Sequence, residues 1–504
     1  MSKPLFGKDR ICAVVAAPTA REMKACFRKA ARITKTVELR LDWLKNEDEE
    51  DDFLLWPTDE RPRATVITTC RRRAAGGRYS QDIFHQTIEL YSSTLTGASW
   101  CDVELETLEF LGAPYWNQHY LHCVQILASF HNFKATPKEI WPIFQRVRRF
   151  APEAIKIATQ CNSIADSLRV LALAKGKRNV IAVPMGEIGL PARVLALREG
   201  SALAYAAAGE KTAPGQLTLD EMKNLYRADK LNRKTRVYGV IGDPVSHSLS
   251  PLMHNLAFQQ KKINAVYLPF LVRDLKDFLG AIKPLGIAGF SVTLPHKEEI
   301  LRHLDDCDPL AAAIGAVNTV VVRGEGKLYG CNTDYVGVLR ALESALADLR
   351  GSRVLLFGAG GVARAVAFAL AQAGAIVCVS ARRMSQAEKL ARAVQGEAVS
   401  HTRIRKEFFD AIVNATPVGM HPRANEAPLA ANELNCRLVF DTIYRPMKTK
   451  LLKLAERRGI ETVSGVEMFI AQGTAQFDIW TGRRAPVALM RKAVLNALRE
   501  EERK

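Results

Sequence analysis

KTAPGQLTLDEMKNLYRADKLNRKTRVYGVIGDPVSHSLSP, residues 211–251, divides the chain. One end, Thr212 to Gln216, carries Pro214 and Gly215. The other carries Gly242, Asp243 and Pro244, then the hydroxyls of Ser246, Ser248 and Ser250. Such residues build loops. Between them, Leu217–Thr235 is polar, helix-prone and rich in Lys, Arg and Asn. A short connector between two loop-like ends predicts two units, with the cut near Asn232.

Outward from this seam the chain runs to 504 residues, more than one hydrophobic core supports. Its 48% hydrophobic and 25% charged residues are ordinary for globular protein. No apolar run reaches about 18 residues, so no membrane partner is expected. The start, MSKPLFGKDRICAVVAAPTA, reads as a first strand rather than a signal peptide. Ten cysteines lie singly, without a CxxC pair or a Cys/His cluster. That pattern argues against a disulfide scaffold and a metal site, and for a reducing, cytoplasmic setting. The net charge of +18 is spread over both halves, without a basic tail or interleaved aromatics. It suits anionic small ligands better than nucleic acid.

Before the seam, short β-rich runs alternate with amphipathic helical stretches. The runs are Ile11–Ala16, Thr36–Leu41, Thr65–Thr69, Trp100–Leu105, Gln125–Phe130, Ala154–Ala158, Asn179–Pro184 and Ser201–Ala206. The helices include Thr19–Ala31 and Ser163–Ala174. Eight strand–helix units over residues 1–233 predict a (β/α)8 barrel, with its site at the carboxyl ends of the strands. Those ends carry Glu38, Arg40, Arg71, Glu104, His131 and Lys156, and Arg193 follows. Lys156 shares a strand face with Ala154 and Ala158. A lysine desolvated among small neighbours favours its neutral amine, which can attack a ketone and form a Schiff base.

Taken in order, VELR, TTCRRRAAGG, DVELE, SFHNF, AIKIATQ, GLPAR and TAPGQ resemble the type I 3-dehydroquinate dehydratase family over roughly residues 10–225. The resemblance implies that Lys156 is the Schiff-base lysine and His131 the general acid/base. It implies that Glu38, Arg40, Arg71, Arg193, Thr212 and Gln216 hold the substrate. One position departs: the family usually has an acid where this chain has Ala75, an acid thought to orient the histidine. Either another group substitutes, Glu104 being a candidate, or this half is slow.

After the seam come GDPVSHSLSPLMHN, with Ser250 expected as the N-cap of a helix opened by Pro251, and SVTLPHKEEI with Thr293 and Lys297. GAVNTVV with Asn318 and GCNTDYVG with Asp334 follow. At Arg353 the pattern becomes RVLLFGAGGVARAVAFALAQAG. A strand runs into Gly358-x-Gly360-Gly361-x-Ala363 and a helix, the dinucleotide-phosphate fingerprint. The next strand ends Ser380, Ala381, Arg382, Arg383. An acid there would hold a ribose hydroxyl; two cations instead favour a 2′-phosphate, so NADP is expected over NAD. Asn414 and Thr416 in NATPVG complete the expected cofactor site.

Residues 236–500 resemble shikimate dehydrogenase. The resemblance implies that Ser248, Ser250, Thr293, Asn318, Asp334, Tyr444 and Gln472 bind substrate, with Lys297 and Asp334 the catalytic pair. The expected organisation is an N-terminal (β/α)8 barrel (1–233) fused to a two-lobed α/β dehydrogenase. Its substrate lobe spans 236–337, its Rossmann-type NADP-binding lobe 338–465, and its closing helices 466–504. The implied activities are dehydration of 3-dehydroquinate and NADPH-dependent reduction of 3-dehydroshikimate to shikimate. Left open are a preference for quinate and a dehydratase half that is impaired or non-catalytic.

Overall fold

The computed structural model describes residues 5–503 apart from 8, 58–59, 95–96, 113–123, 210–214, 344 and 346–347. The chain forms two compact units, Met1–Thr235 with Pro269–Leu285, and Arg236–Leu268 with Gly286–Lys504. Among the described residues, no helix is long and apolar enough to cross a membrane.

The first unit is built on eight parallel strands: β1 (Ile11–Val15), β2 (Thr36–Arg40), β3 (Thr65–Thr69), β4 (Trp100–Glu104), β5 (Gln125–Asn132), β6 (Ala154–Gln160), β7 (Val180–Met185) and β8 (Ala204–Ala207). Their order is β7-β6-β5-β4-β3-β2-β1-β8. The ring comes close to closing where Ala202 N–H donates to the Val180 carbonyl (2.8 Å). Helices between the strands begin where the side chains can cap them. Thr19 accepts from Glu22 N–H, and Ser163 forms a reciprocal capping box with Asp166.

Strand side chains alternate faces, so residues two apart stack up the barrel interior. The floor is apolar: Phe6, Cys12, Ile67, Trp100, Leu127, Ala154, Ile181 and Leu203. Phe6 lies 4.2 Å from Trp100, centroid to centroid. Two residues further along β3 to β6 stand Thr69, Asp102, Ser129 and Lys156. Two further again bring Arg71, Glu104, His131 and Ala158. The apolar floor thus sets the register that lifts the polar residues toward the carboxyl ends.

The second unit has two sheets. Strands β9 (Arg236–Gly242), β10 (Ala265–Leu271), β11 (Ile287–Val292), β12 (Asp306–Cys307), β13 (Thr319–Val322) and β14 (Leu328–Cys331) run β10-β9-β11-β13-β14-β12. Strands β15 (Arg353–Phe357), β16 (Ile376–Ser380), β17 (Glu397–Ala398), β18 (Phe409–Asn414), β19 (Cys436–Asp441) and β20 (Glu461–Ser464) run β17-β16-β15-β18-β19-β20. All strand pairs of this second sheet are parallel. Numbered from β15, that is the doubly wound order 3-2-1-4-5-6, whose direction reverses between β15 and β18. The helix Gly465–Thr481 returns to the first sheet, where Trp480 Nε1 donates to the Val320 carbonyl (3.1 Å).

One local expectation changes. Ser250 is the first residue of its helix, Ser250–Gln260, rather than the cap. The Ser248 hydroxyl instead accepts from Ser250 N–H (3.2 Å), because it lies where the first unpaired donor points. On this helix His254 is fully buried and stacked on Tyr267, 4.5 Å between centroids. Burial pushes its imidazole from 6.5 down to about 3, with neighbouring Gln476 opposing the shift. The folded state therefore holds His254 neutral, and its contribution to stability is full above pH 6.5 and lost as pH falls toward about 3. Thermal unfolding of the full chain at about pH 7 and about pH 4.5 checks this. His254→Leu is expected to lose less Tm between the two conditions than the parent; equal losses would contradict it.

Candidate active sites

In the barrel, burial of charge forces pairing. Lys156 on β6 ion-pairs with Glu38 Oε1 on β2 and Asp102 Oδ2 on β4, both at 3.0 Å. Arg71, just past β3, reaches Asp102 Oδ1 (2.8 Å) and Glu104 (3.5 Å), and donates to Ser129 Oγ (2.9 Å). Ser129 in turn donates to Asp102 Oδ1 (2.6 Å). Thr69 donates to Glu38 Oε1 (3.1 Å). Arg40 grips Asp42 through two bonds of 2.7 and 2.8 Å. The Lys156 ammonium also lies 4.1 Å from the centre of the Tyr205 ring.

These contacts correct two expectations. The surroundings of Lys156 are not small and apolar: two carboxylates and a phenol face it, because β2, β4 and β8 also point polar side chains into the ring. Nor does Glu104 orient His131. Its carboxylate is engaged by Arg72, through the backbone N–H (2.9 Å) and Nε (2.7 Å). His131 Nδ1 is buried without a hydrogen-bond partner among the described residues, and Ala75 is buried in the short turn Arg73–Ala75. The His131 ring is held instead by stacking on Phe133, 6.2 Å away at 13°. Phe133 packs on Gly76, where a Cβ would lie 2.3 Å from its ring.

Burial pulls His131 well below its usual value, the positive charges of Arg71 and Lys156 pull it further, and Asp102 opposes them. Burial would raise the Asp102 carboxyl, but Arg71, Lys156 and His131 hold it well below the usual carboxylate range. Arg193, on the helix after β7, donates to the Pro184 carbonyl (2.7 Å), and burial lowers it to about 10. Gln216 is buried, and Thr212 lies outside the described residues. The structure thus gathers Lys156, Glu38, Arg71 and His131 around Asp102. Neither Asp102 nor Ser129 was read from the sequence. Each stands two residues before a residue that was, so strand periodicity carried the signal.

In the second unit, Lys297 Nζ donates to Asp334 Oδ2 (2.6 Å). Asn318 Nδ2 holds the other oxygen (2.8 Å) and also reaches Thr333 Oγ1 (3.0 Å). Asp334 starts the helix Asp334–Glu343, where a carboxylate meets unpaired N–H groups favourably. Gln476 braces this corner, donating to the Asn318 carbonyl (3.2 Å) and Thr319 Oγ1 (2.9 Å). Its Oε1 accepts from Ser291 (2.8 Å), which meets the Tyr267 hydroxyl at 2.6 Å.

Burial raises the Tyr267 phenol, opposed by Ser291 and Ser250, and raises that of Tyr444, opposed by the Leu249 backbone, Arg445 and Ser248. Tyr444 stacks on Phe469 at 4.1 Å. Thr293 packs so closely on Gly242 that a Cβ there would lie 2.5 Å from its methyl. Gln472 lies against Gly337, on the helix that Asp334 starts. Lys297, Asp334 and Asn318 are therefore joined by one polar network that runs through Gln476 to Ser291 and Tyr267. Gln476, four residues after Gln472 on the same helix, was missed, as were Tyr267 and Ser291. The i, i+4 spacing of the two glutamines was the available sign.

The glycine loop follows β15 at the switch point. Gly358 has φ +116°, and a Cβ there would lie 2.8 Å from the Ala415 carbonyl. Gly360 caps the helix Gly361–Gln372 and faces open space, which lets a phosphate approach the backbone. A Cβ on Gly361 would come 3.0 Å from Lys297 Cβ, so the helix end lies directly beside Lys297. Ala363 is buried beneath it. The Ser380 carbonyl accepts from Gly358 N–H (2.9 Å).

Asn414 is fully buried and organises its loop, donating to Val418 O and Asp441 and accepting from Thr416. Its side chain is thus a support for the loop rather than an open ligand. Arg382 and Arg383 are exposed, and their guanidinium groups make no hydrogen bond or ion pair among the described residues. An open glycine cradle and two unengaged cations fit a dinucleotide bearing a 2′-phosphate.

A polar-lined parallel barrel followed by a doubly wound nucleotide fold with a lysine–aspartate pair defines a chain of two enzymes. Comparison with known proteins agrees. The model for type I 3-dehydroquinase matches residues 11–233, that for the shikimate dehydrogenase substrate binding domain 240–320, and that for the shikimate 5′-dehydrogenase C-terminal domain 465–495. The chain is 36% identical to the chloroplastic bifunctional 3-dehydroquinate dehydratase/shikimate dehydrogenase of Arabidopsis thaliana, over 95% of this chain and 83% of that protein. It is 44% identical to the shikimate dehydrogenase (NADP(+)) of Bacillus anthracis, over 52% of this chain and 99% of that one. A crystal structure of a shikimate dehydrogenase in complex with NADP+ covers 53% of this chain and 97% of its own, at 40% identity and TM-score 0.50. The chain belongs to the family of bifunctional 3-dehydroquinate dehydratase/shikimate dehydrogenases.

Replacing Arg382 and Arg383 together by Ala is expected to raise KM for NADP by about tenfold, the worth of one charge-assisted contact. KM for NAD should change little. Equal changes for both cofactors would contradict the assignment.

Proposed function

We propose that the two units catalyse consecutive reactions. The first dehydrates 3-dehydroquinate to 3-dehydroshikimate through a Schiff base on Lys156. The second reduces 3-dehydroshikimate to shikimate with NADPH. The observation that carries this reading is a buried lysine at the carboxyl end of a barrel strand, followed in the same chain by a Lys297–Asp334 pair beside a dinucleotide loop.

In the barrel, Lys156 condenses with the substrate ketone. The resulting iminium acidifies the neighbouring C–H. His131 takes that proton and returns one to the departing hydroxyl, which leaves as water. The depressed basicity of His131 keeps it neutral and able to accept. Arg40, Arg71 and Arg193 are the cations available for a carboxylate, and Glu38 and Gln216 for hydroxyls.

In the second unit, Ser248, Ser250, Thr293, Tyr444 and Gln472 seat the ring, and Asn318 fixes Asp334. NADPH supplies hydride when bound by Gly358–Ala363, Arg382 and Arg383. Lys297 gives its proton to the carbonyl oxygen as that becomes a hydroxyl, and Asp334 holds the amine in place. The nine described cysteines are free thiols, which suits a cytoplasmic enzyme.

A coupled assay tests the sequence of steps. With 3-dehydroquinate alone as substrate, the chain should consume NADPH and form shikimate. Reduction of 3-dehydroshikimate without any turnover of 3-dehydroquinate would show that the barrel, with Ala75 at the usual acid's position, is not a working dehydratase.

A further inference from the structure

Two carboxylates share the Lys156 ammonium, and the chemistry allows only one of them to stay. Schiff-base formation converts R–NH3+ and O=C into R–NH+=C and water. The C–N bond forms, the C–O bond breaks, and the positive charge is conserved. The number of N–H bonds on the nitrogen falls from three to one. Glu38 and Asp102 each hold one of those bonds now, at 3.0 Å. The iminium can keep a single one.

The two are not equivalent. Asp102 is fixed on every side. Its Oδ1 receives Ser129 (2.6 Å) and Arg71 (2.8 Å), from elements after β3 and on β5, and its side chain has no exposed surface. Its Oδ2 is left for Lys156. Glu38 has one more rotatable bond. It is anchored only through Oε1, by Lys156 and Thr69, while Oε2 makes no hydrogen bond among the described residues.

Resting on the Schiff-base reading, we infer that Asp102 is the iminium's counter-ion and positioning residue. It keeps the remaining N–H of Lys156 through the covalent stage, while Glu38 releases the nitrogen and turns to the substrate. Asp102 then serves both cations of the reaction. It pairs with the nitrogen directly, and its charge faces the imidazolium that His131 becomes after taking the C–H proton.

The test compares Asp102→Asn and Glu38→Gln in the full chain, using 3-dehydroquinate with borohydride to trap the adduct on Lys156. Asp102→Asn keeps the shape and removes the charge. It should slow both dehydration and trapping by about 100-fold, as loss of a group aimed at developing charge does. Shikimate oxidation by the second unit of the same variant should be unchanged, which reports on folding. Glu38→Gln should raise KM for 3-dehydroquinate while trapping continues. Ser129→Ala, which only loosens Asp102, should slow trapping by about tenfold, the low end for a hydrogen bond to a charged group.

Wild-type trapping rates in Asp102→Asn, or loss of trapping in Glu38→Gln alone, would overturn the assignment of Asp102. Absence of any adduct on Lys156 in the parent chain would overturn the Schiff-base reading and the Asp102 assignment with it.

Discussion

Buried charge must be paired, and in this chain that constraint organises the chemistry. The barrel interior holds Lys156, Arg71, Glu38, Asp102 and Glu104, all nearly removed from solvent. Any one of them alone would be costly there; breaking a buried pair typically costs 3–5 kcal/mol, so roughly that much is at stake at each partner. Together they are stable because neighbouring parallel strands deliver them in two adjacent layers, within reach of one another. The apolar floor of Ile67, Trp100, Leu127 and Ala154 fixes the register, and the polar layer follows two residues later on β3 to β6. The charges are therefore arranged before substrate arrives. Under the proposed Schiff-base reaction, that arrangement lets Lys156 pass from ammonium to iminium without a change of net charge.

The second unit meets the same constraint differently. Lys297 and Asp334 form a single close pair, with Asn318 and Asn332 fixing the aspartate side. Glycine matters here for approach. Gly361 leaves no Cβ between the nucleotide helix and Lys297, so the proposed proton donor and the glycine loop lie side by side. The switch point between β15 and β18 provides the crevice, and Gly358 with its left-handed backbone turns the chain into it. The Tyr267 and Ser291 hydroxyls reach the same corner through Gln476.

Strand periodicity and the glycine fingerprint made both folds legible from residues alone. Seven of the eight barrel strands begin within a residue of the expected runs, β8 starting later, at Ala204. The polar residues read at strand ends, Lys156, Glu38, Arg71 and His131, are brought together around Asp102. That reading missed Asp102 and Ser129, which stand one layer deeper, two residues before Glu104 and His131. It misjudged the setting of Lys156 because neighbours along one strand were visible, while Glu38 and Asp102 come from other strands 118 and 54 positions away. The same limit left Glu104 as a partner for His131, when Arg72 claims it. Gln476 and Tyr267 were hidden by apolar helix and strand surroundings that suggested packing.

The central claim is that one chain carries two separate sites, with Lys156 serving one and Lys297 the other. Its most direct measurement assays Lys156→Ala and Lys297→Ala singly and mixed, with 3-dehydroquinate and NADPH. Lys156→Ala should lose dehydration and keep reduction of 3-dehydroshikimate. Lys297→Ala should do the reverse, and the mixture should again form shikimate from 3-dehydroquinate. Loss of both activities on either single substitution, with the chain folded, would contradict the account.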